Sequence, residues 1–180
     1  MKELKVICAL PYSKVRECCH AIKGAWSLND SAVRRCASRI ASGLGDCILV
    51  PAPSHTGPAT DALVLAQAIC SEMVSRGHVC VVCDVLAAVP HRSLCEAKHN
   101  GEDPSTIKIM VYRKDNADNG FLVTNESLSP AYRLPVRLVD NVIDTGRTAR
   151  ACMKVLPFDA VVAVGDTGEW KKETTETTQS

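Results

Sequence analysis

The chain has 180 residues, with 21 Lys and Arg against 20 Asp and Glu and a formal net charge of +1. So even a balance gives no general field for nucleic acid or a membrane surface, and leaves small phosphorylated ligands held by local charge. The length suits one domain over residues 1–180 with a core that needs no staples, and no run approaches the apolar length of a membrane span.

Ten cysteines follow no zinc-ribbon or finger spacing and no signal peptide precedes them, so they read as small apolar core residues of a cytoplasmic protein. Cys80 and Cys83 fall in an apolar run that reads as a strand, which predicts thiols on opposite sides of a sheet. His91, Cys95 and His99 have the spacing of one helical face, but residues 100–104 read as loop, and no metal is assigned there.

In chain order, residues 4–10 predict a first strand stopped by Pro11, and residues 14–22 a helix with a loop at Gly24. Asn29 or Asp30 caps a helix through Ile40 that buries Val33, Cys36, Ala37 and Ile40, with Arg34, Arg35 and Arg39 on its solvated face. Residues 46–50 form a short, almost wholly apolar strand of the kind that parallel sheets bury. The turn at 51–57 breaks it, and residues 59–76 follow as an amphipathic helix. A strand, a small-residue turn and a helix in that order offer an anion loop at Ser54, His55, Thr56 and Gly57; the plainer account is an ordinary turn, with Thr56 as a cap and Pro58 at the first helical position.

Residues 78–86 predict another buried strand. Residues 87–120 are polar and broken at Gly101, Pro104 and Gly120, so they read as a functional lid or a disordered segment, with strand pieces at 107–112 and 121–124.

Residues 136–148 read Val-Arg-Leu-Val-Asp-Asn-Val-Ile-Asp-Thr-Gly-Arg-Thr. An apolar strand ends in Asp140, an apolar pair follows Asn141, and an Asp-Thr-Gly-Arg-Thr turn enters a helix over 149–156. Backbone N–H groups and the helix start make an anion site, Gly146 lets the backbone approach a ligand, and the Thr145 and Thr148 hydroxyls can donate to phosphate oxygens. A capped turn accounts for the Asp-Thr-Gly alone, but leaves Asp140 and the run ahead of it unexplained.

This stretch resembles the phosphoribosyl-diphosphate (PRPP) motif of the type I phosphoribosyltransferases: a hydrophobic strand, two adjacent acids, two apolar residues, then Asp-Thr-Gly-x-Thr. Asp140, Asp144, Thr145, Gly146 and Thr148 match, Arg147 fills the variable place, and Asn141 replaces the second acid. The resemblance implies an α/β fold, a parallel sheet with helices on both faces, a small hood within residues 1–45 and a flexible loop over 87–120 that closes over the ligand. It implies that Asp140 and Asn141 hold the ribose hydroxyls, that residues 144–148 hold the 5′-phosphate, and that Ser54, His55, Thr56 and Gly57 hold the pyrophosphate. Arg92, Lys98, Arg113 and Lys114 become candidates to meet that pyrophosphate charge.

The implied reaction moves a phosphoribosyl group from PRPP to a small nitrogenous base and releases pyrophosphate, with Mg²⁺ on the diphosphate and Asp144 accepting or positioning the proton of the base. A homodimer is compatible with the resemblance. The rival reading is a non-catalytic PRPP- or nucleotide-binding regulator of the same fold. An aspartate-based phosphohydrolase is a weaker rival, because Asp140 and Asp144 lack Asp-x-Asp spacing. Residues 158–165 predict a last strand, Asp166 a contact for the metal-pyrophosphate end or, more simply, a turn acid, Trp170 a core cover or a stacking platform, and 171–180 a frayed tail.

Overall fold

The computed structural model describes residues 4–7, 9–23 and 27–171. Its centre is a parallel sheet built from β1 (Val6–Ile7), β2 (Leu10–Pro11), β3 (Cys47–Pro51), β4 (Cys80–Val82), β7 (Val136–Ile143) and β8 (Ala160–Asp166). The order is β1-β8-β7-β3-β4, with β2 also on β8, and every pairing is parallel. The strand predicted at 4–10 is thus two short pieces along one edge.

Alternation along the strands divides the core in two. Leu49, Val139 and Val162 face a layer that includes Ile22 of α1 (Tyr12–Lys23), Ile40 of α2 (Ser31–Ala41) and Ile69 of α3 (Asp61–Ser75). Ile48, Leu138 and Val161 face Cys152 of α6 (Arg147–Met153), Leu156, Phe158 and Leu122. The molecule is therefore α/β, with a mostly parallel sheet covered on both faces. Cys80 belongs to the first cluster and Cys83 to the second, the opposite-sides arrangement expected of them.

Helix α2 begins as its sequence predicts: the Asp30 carboxylate accepts from the Ala32 N–H at 2.8 Å and the Val33 N–H at 3.3 Å. Within the described part of residues 1–45, these strands and helices belong to the main sheet edge and one helical layer. The predicted loop at Gly24 and the tail beyond Lys171 lie outside the described residues. No described helix is long and apolar enough to cross a membrane.

The apolar run at 78–86 is not one strand. It makes β4, leaves the sheet at Asp84, and resumes as β5 (Leu86–Ala88), which pairs antiparallel with β6 (Val111–Arg113). Asp84 causes the break: its carboxylate takes Lys114 at 2.7 Å and its carbonyl accepts from Asn116 Nδ2 at 3.0 Å. The strand pieces predicted around the lid also change. Of residues 107–112 only the last two join β6, and 121–124 lie inside helix α5 (Ala117–Ser127). The Asn116 side chain caps α5 by accepting from the Asn119 N–H at 3.1 Å, and only Leu122 of the apolar trio is buried, with Phe121 at 43% and Val123 at 53% exposure. The segment read as a lid carries α4 (Leu94–His99) and a 3₁₀ turn at Pro104–Thr106.

Candidate functional site

From β3 the chain crosses outward to β4, and from β7 it crosses the other way to β8, so the winding reverses between β3 and β7. In open α/β sheets the crevice for ligands lies at the carboxyl ends of such a pair. The last rung between them is the Ala52 N–H on the Val139 carbonyl at 2.8 Å; β3 has ended at Pro51, while β7 runs on through Ile143. A cavity of about 370 Å³ opens there. It is lined by residues 52–55 after β3, residues 60–62 at the start of α3, residues 140–149, Tyr12 and Lys23 of α1, Thr167, and His91, Ser93, Leu94, Cys95 and Ile109 from the lid segment.

Asp140 stands on β7 at the cavity wall, where burial pushes its carboxyl up to about 6, against the pull of the Asn141 and Val142 backbone amides. Its Oδ1 accepts from the Asn141 N–H at 2.7 Å. Asn141 is 6% exposed, and among the described residues neither Oδ1 nor Nδ2 of its amide has a partner. A buried amide left unpaired costs about 1–3 kcal/mol.

After Ile143 the chain turns through Asp144 and Thr145 to Gly146, which sits at φ +72° before α6. Among the described residues the backbone N–H groups of Thr145, Gly146, Arg147 and Thr148 meet no acceptor. Helix α6 has only seven residues, so these amides outweigh the helix dipole as an anion cradle. The glycine is required for a reason the sequence did not suggest. A Cβ at Gly146 points into the protein, 3.0 Å from Trp170 Cβ and 3.1 Å from Leu4 Cδ2.

Asp144 is not a free acid. Its Oδ2 accepts from Lys98 Nζ at 2.5 Å and its Oδ1 from Thr167 Oγ1 at 2.9 Å. Burial pulls its carboxyl upward, but the Lys98 ammonium and the Thr167 hydroxyl outweigh that and hold it below the ordinary range. Lys98 also reaches Glu169 Oε2 at 2.8 Å. The Arg147 guanidinium is likewise engaged: it donates to the carbonyls of Pro104, of Ser105 at 3.1 Å and of Ile107 at 2.7 Å. Of Arg147, the backbone N–H is the part left for a ligand.

The second predicted loop is partly folded on itself. Ser54 and Thr56 share a hydroxyl bond at 2.6 Å, and the Thr56 and Gly57 amides both donate back to Ser54. Ser54 and His55 line the cavity; Thr56 and Gly57 are not among its lining residues. Helix α3 starts later than predicted, at Asp61 with Thr60 as its cap. Backbone bonds join this loop to the lid ribbon: the Ala88 N–H donates to the Gly57 carbonyl at 2.8 Å, and the His91 N–H to the His55 carbonyl at 2.9 Å.

Of the four candidate lid cations, only Lys98 touches the motif. Arg92 pairs with Glu102, Lys114 with Asp84, and Arg113 lies 3.9 Å from Glu126. Trp170 takes its core role, its indole N–H donating to Asp166 Oδ1 at 2.9 Å, and the same oxygen accepts from the Gly168 N–H at 2.7 Å, which makes Asp166 a turn acid. Sequence reasoning missed Asp61, Lys23 and Tyr12 on the far wall of the cavity and the Thr167–Glu169 pair. Asp61, an acid in the first turn after an anion-type loop, was the one readable signal among them. Among the described residues no three His, Cys, Asp or Glu side chains gather as a metal cage. No family model, no curated protein and no solved structure matches the chain.

Proposed function

We propose that this chain is a phosphoribosyltransferase of the type I fold, transferring the phosphoribosyl group of PRPP to a nitrogenous base with release of pyrophosphate. The observation that carries the reading is one cavity at the reversal of the sheet. It holds a buried, unpaired Asn141 amide, the Asp140 carboxyl and the unpaired amides of residues 145–148. That set suits a sugar with vicinal hydroxyls and a phosphomonoester: the carboxylate and the amide oxygen accept from hydroxyls, and the loop amides donate to phosphate oxygens.

In the transfer, the bond from ribose C1 to the diphosphate oxygen breaks, that oxygen keeps the electron pair, and the base nitrogen forms the new bond to C1. The cationic character left on the sugar is stabilised by nearby anions in a water-poor site. A proton leaves the base nitrogen, and Asp140 is better suited to take it than Asp144. Asp144 already neutralises Lys98, whereas a carboxyl pushed up to about 6 is poised for exchange near neutral pH.

Mg²⁺ fits this site as a companion of the diphosphate, since it needs only one or two protein carboxylates when phosphates supply the rest, and Asp140 and Asp61 line the cavity. When bound, it would offset the charge of the leaving diphosphate.

A regulator that binds PRPP or a nucleotide without turnover is the second reading. The capture of Asp144 by Lys98 and the neutral Asn141 favour it. A panel of purine, pyrimidine and non-nucleobase amines, incubated with PRPP and Mg²⁺, separates the two readings. We expect pyrophosphate release with at least one acceptor; saturable PRPP binding with no release for any of them would make the regulator the better account.

A further inference from the structure

The even charge of the whole chain hides a local excess. Helices α1 and α2 carry three Lys and Arg each (Lys14, Arg16 and Lys23; Arg34, Arg35 and Arg39), against one acid, Glu17. The two helices pack against each other, and three thiols lie together in their layer. Cys19 and Cys36 are buried there, while Cys18 is half-buried at its edge.

The Cys36 thiol is hydrogen-bonded to Cys18, and burial above all, with the neighbouring Cys18 sulfur, pushes it up to about 11. Cys36 therefore keeps its proton and donates it, which leaves Cys18 as the sulfur that an electrophile meets. Cations surround the pair: Arg39 and Arg35 act on Cys36, and Lys23 and Arg39 on Cys19. Lys23 and Arg35 are exposed, and Arg39 meets a neutral group, the Val164 carbonyl, at 3.4 Å. A partly exposed thiol among cations is the setting in which cysteine reacts, whereas wholly buried thiols are inert. The other two accessible thiols differ: Cys70 donates to the Cys80 carbonyl at 3.3 Å, and Cys95 is the single cysteine of α4.

We propose that Cys18 and Cys36 are a reversible modification site that exchanges with an anionic low-molecular-weight disulfide, glutathione disulfide being the simplest of that class. The Cys18 thiolate attacks one sulfur of the incoming disulfide, and the other half leaves as a thiolate. Cys36, on losing its proton, attacks the Cys18 sulfur and expels the second half. The two protein thiols lose two electrons and two protons between them, and the reagent gains both as two thiols. The cations draw the anionic reagent to Cys18. The bridge pins α1 to α2 near the middle of the helix that brings Tyr12 and Lys23 to the cavity wall. None of this depends on the transferase reading.

Peptide mapping of the folded chain after incubation with oxidised glutathione reads the site, with fragmentation separating Cys18 from Cys19. We expect a Cys18–Cys36 bridge, with Cys18 consumed about tenfold faster than the more exposed Cys95. Salt raised to about 0.5 M should slow Cys18 about threefold and leave Cys95 nearly unchanged. Arg35→Ala, which removes one exposed cation and no thiol, should slow Cys18 about twofold. Cys36→Ser should stop at the glutathione adduct on Cys18, and Cys18→Ser should leave Cys36 reduced. Cys18 reacting no faster than Cys95, a bridge from Cys19 instead, or a lasting adduct on wild-type Cys18 with no bridge would each overturn the proposal. The wild-type map and Arg35→Ala decide it even if the Cys36→Ser chain fails to fold.

Discussion

Asp140→Asn is expected to lower pyrophosphate release by about 10²–10⁴-fold, the usual range for a lost general base, while making the folded protein more stable at pH 7. The two effects have opposite signs because they arise from one cause. Burial raises the folded-state pKa of Asp140 to about 6 from the ordinary carboxylate value, so the charged form is the one that folding disfavours. A group whose pKa rises on folding contributes stability that is fully present below its unfolded pKa and is lost as pH climbs through the folded one. In the wild type this loss falls between about pH 4 and pH 6, and is complete at pH 7. The asparagine variant has no such loss. Its gain at pH 7 is of order 1–2 kcal/mol, after allowing for the part of the side chain still open to the cavity.

Thermal unfolding at pH 4.5 and pH 7, together with the pH profile of turnover, checks both halves. Wild-type activity should rise through about pH 6 as the carboxyl deprotonates. Equal stability of both proteins at pH 7, or full activity in the variant, would return the proton-accepting role to another group.

Gly146→Val should lower the unfolding temperature by about 10 °C and abolish phosphate binding with it, which corresponds to a loss of about 3–5 kcal/mol for a chain of this size. The residue is at φ +72°, a region that β-branched side chains scarcely enter, and its Cβ direction meets Trp170 Cβ at 3.0 Å and Leu4 Cδ2 at 3.1 Å. Trp170 has little room to withdraw: its indole N–H is held by Asp166, and its carbonyl accepts from Arg150 at 2.9 Å. Arg150 in turn donates to the Thr145 carbonyl at 2.7 Å, so disturbing this corner distorts the turn at residues 144–148 from behind. Gly45→Ala is the control, since nothing lies within 4 Å of a Cβ there. Unfolding of Gly146→Val within a couple of degrees of wild type, with binding lost all the same, would mean that the glycine serves the ligand and not the packing.

The layered α/β architecture was legible because it rests on periodicity. Largely apolar runs at 46–50, 136–139 and 158–165, each with a single acid or arginine, read as buried strands, and Asp30 announced its helix by a capping bond that depends on local sequence alone. The lid was not legible in the same way. Phe121, Leu122 and Val123 supply three apolar residues whether the chain is strand or helix, and the decision was made by Asn116, a cap whose meaning depends on where the preceding ribbon ends. Asp84, one polar residue in an apolar run, divided a predicted strand between two sheets because Lys114 and Asn116 waited for it some thirty positions on.

The motif carried residue identity better than residue state. It brought Asp140, Asn141 and residues 144–148 to one cavity, as a continuous stretch must. It did not reveal that Lys98 occupies Asp144 or that Arg147 spends its guanidinium on carbonyls, because both partners come from a segment about 40 residues away. Charge in a sequence says what can pair; only the fold says what already has.

The two backbone bonds between the loop after β3 and the lid ribbon have a consequence for mutational scanning. The Ala88 N–H on the Gly57 carbonyl and the His91 N–H on the His55 carbonyl involve no side chain, so alanine substitution leaves both intact. Such a scan reads this seam as silent, although it joins residues 88–91 to the loop after β3. Proline at position 88 or 91 removes the donor and cuts one stitch at a time, which makes two positions of ordinary side chain the place where loop and lid can be uncoupled.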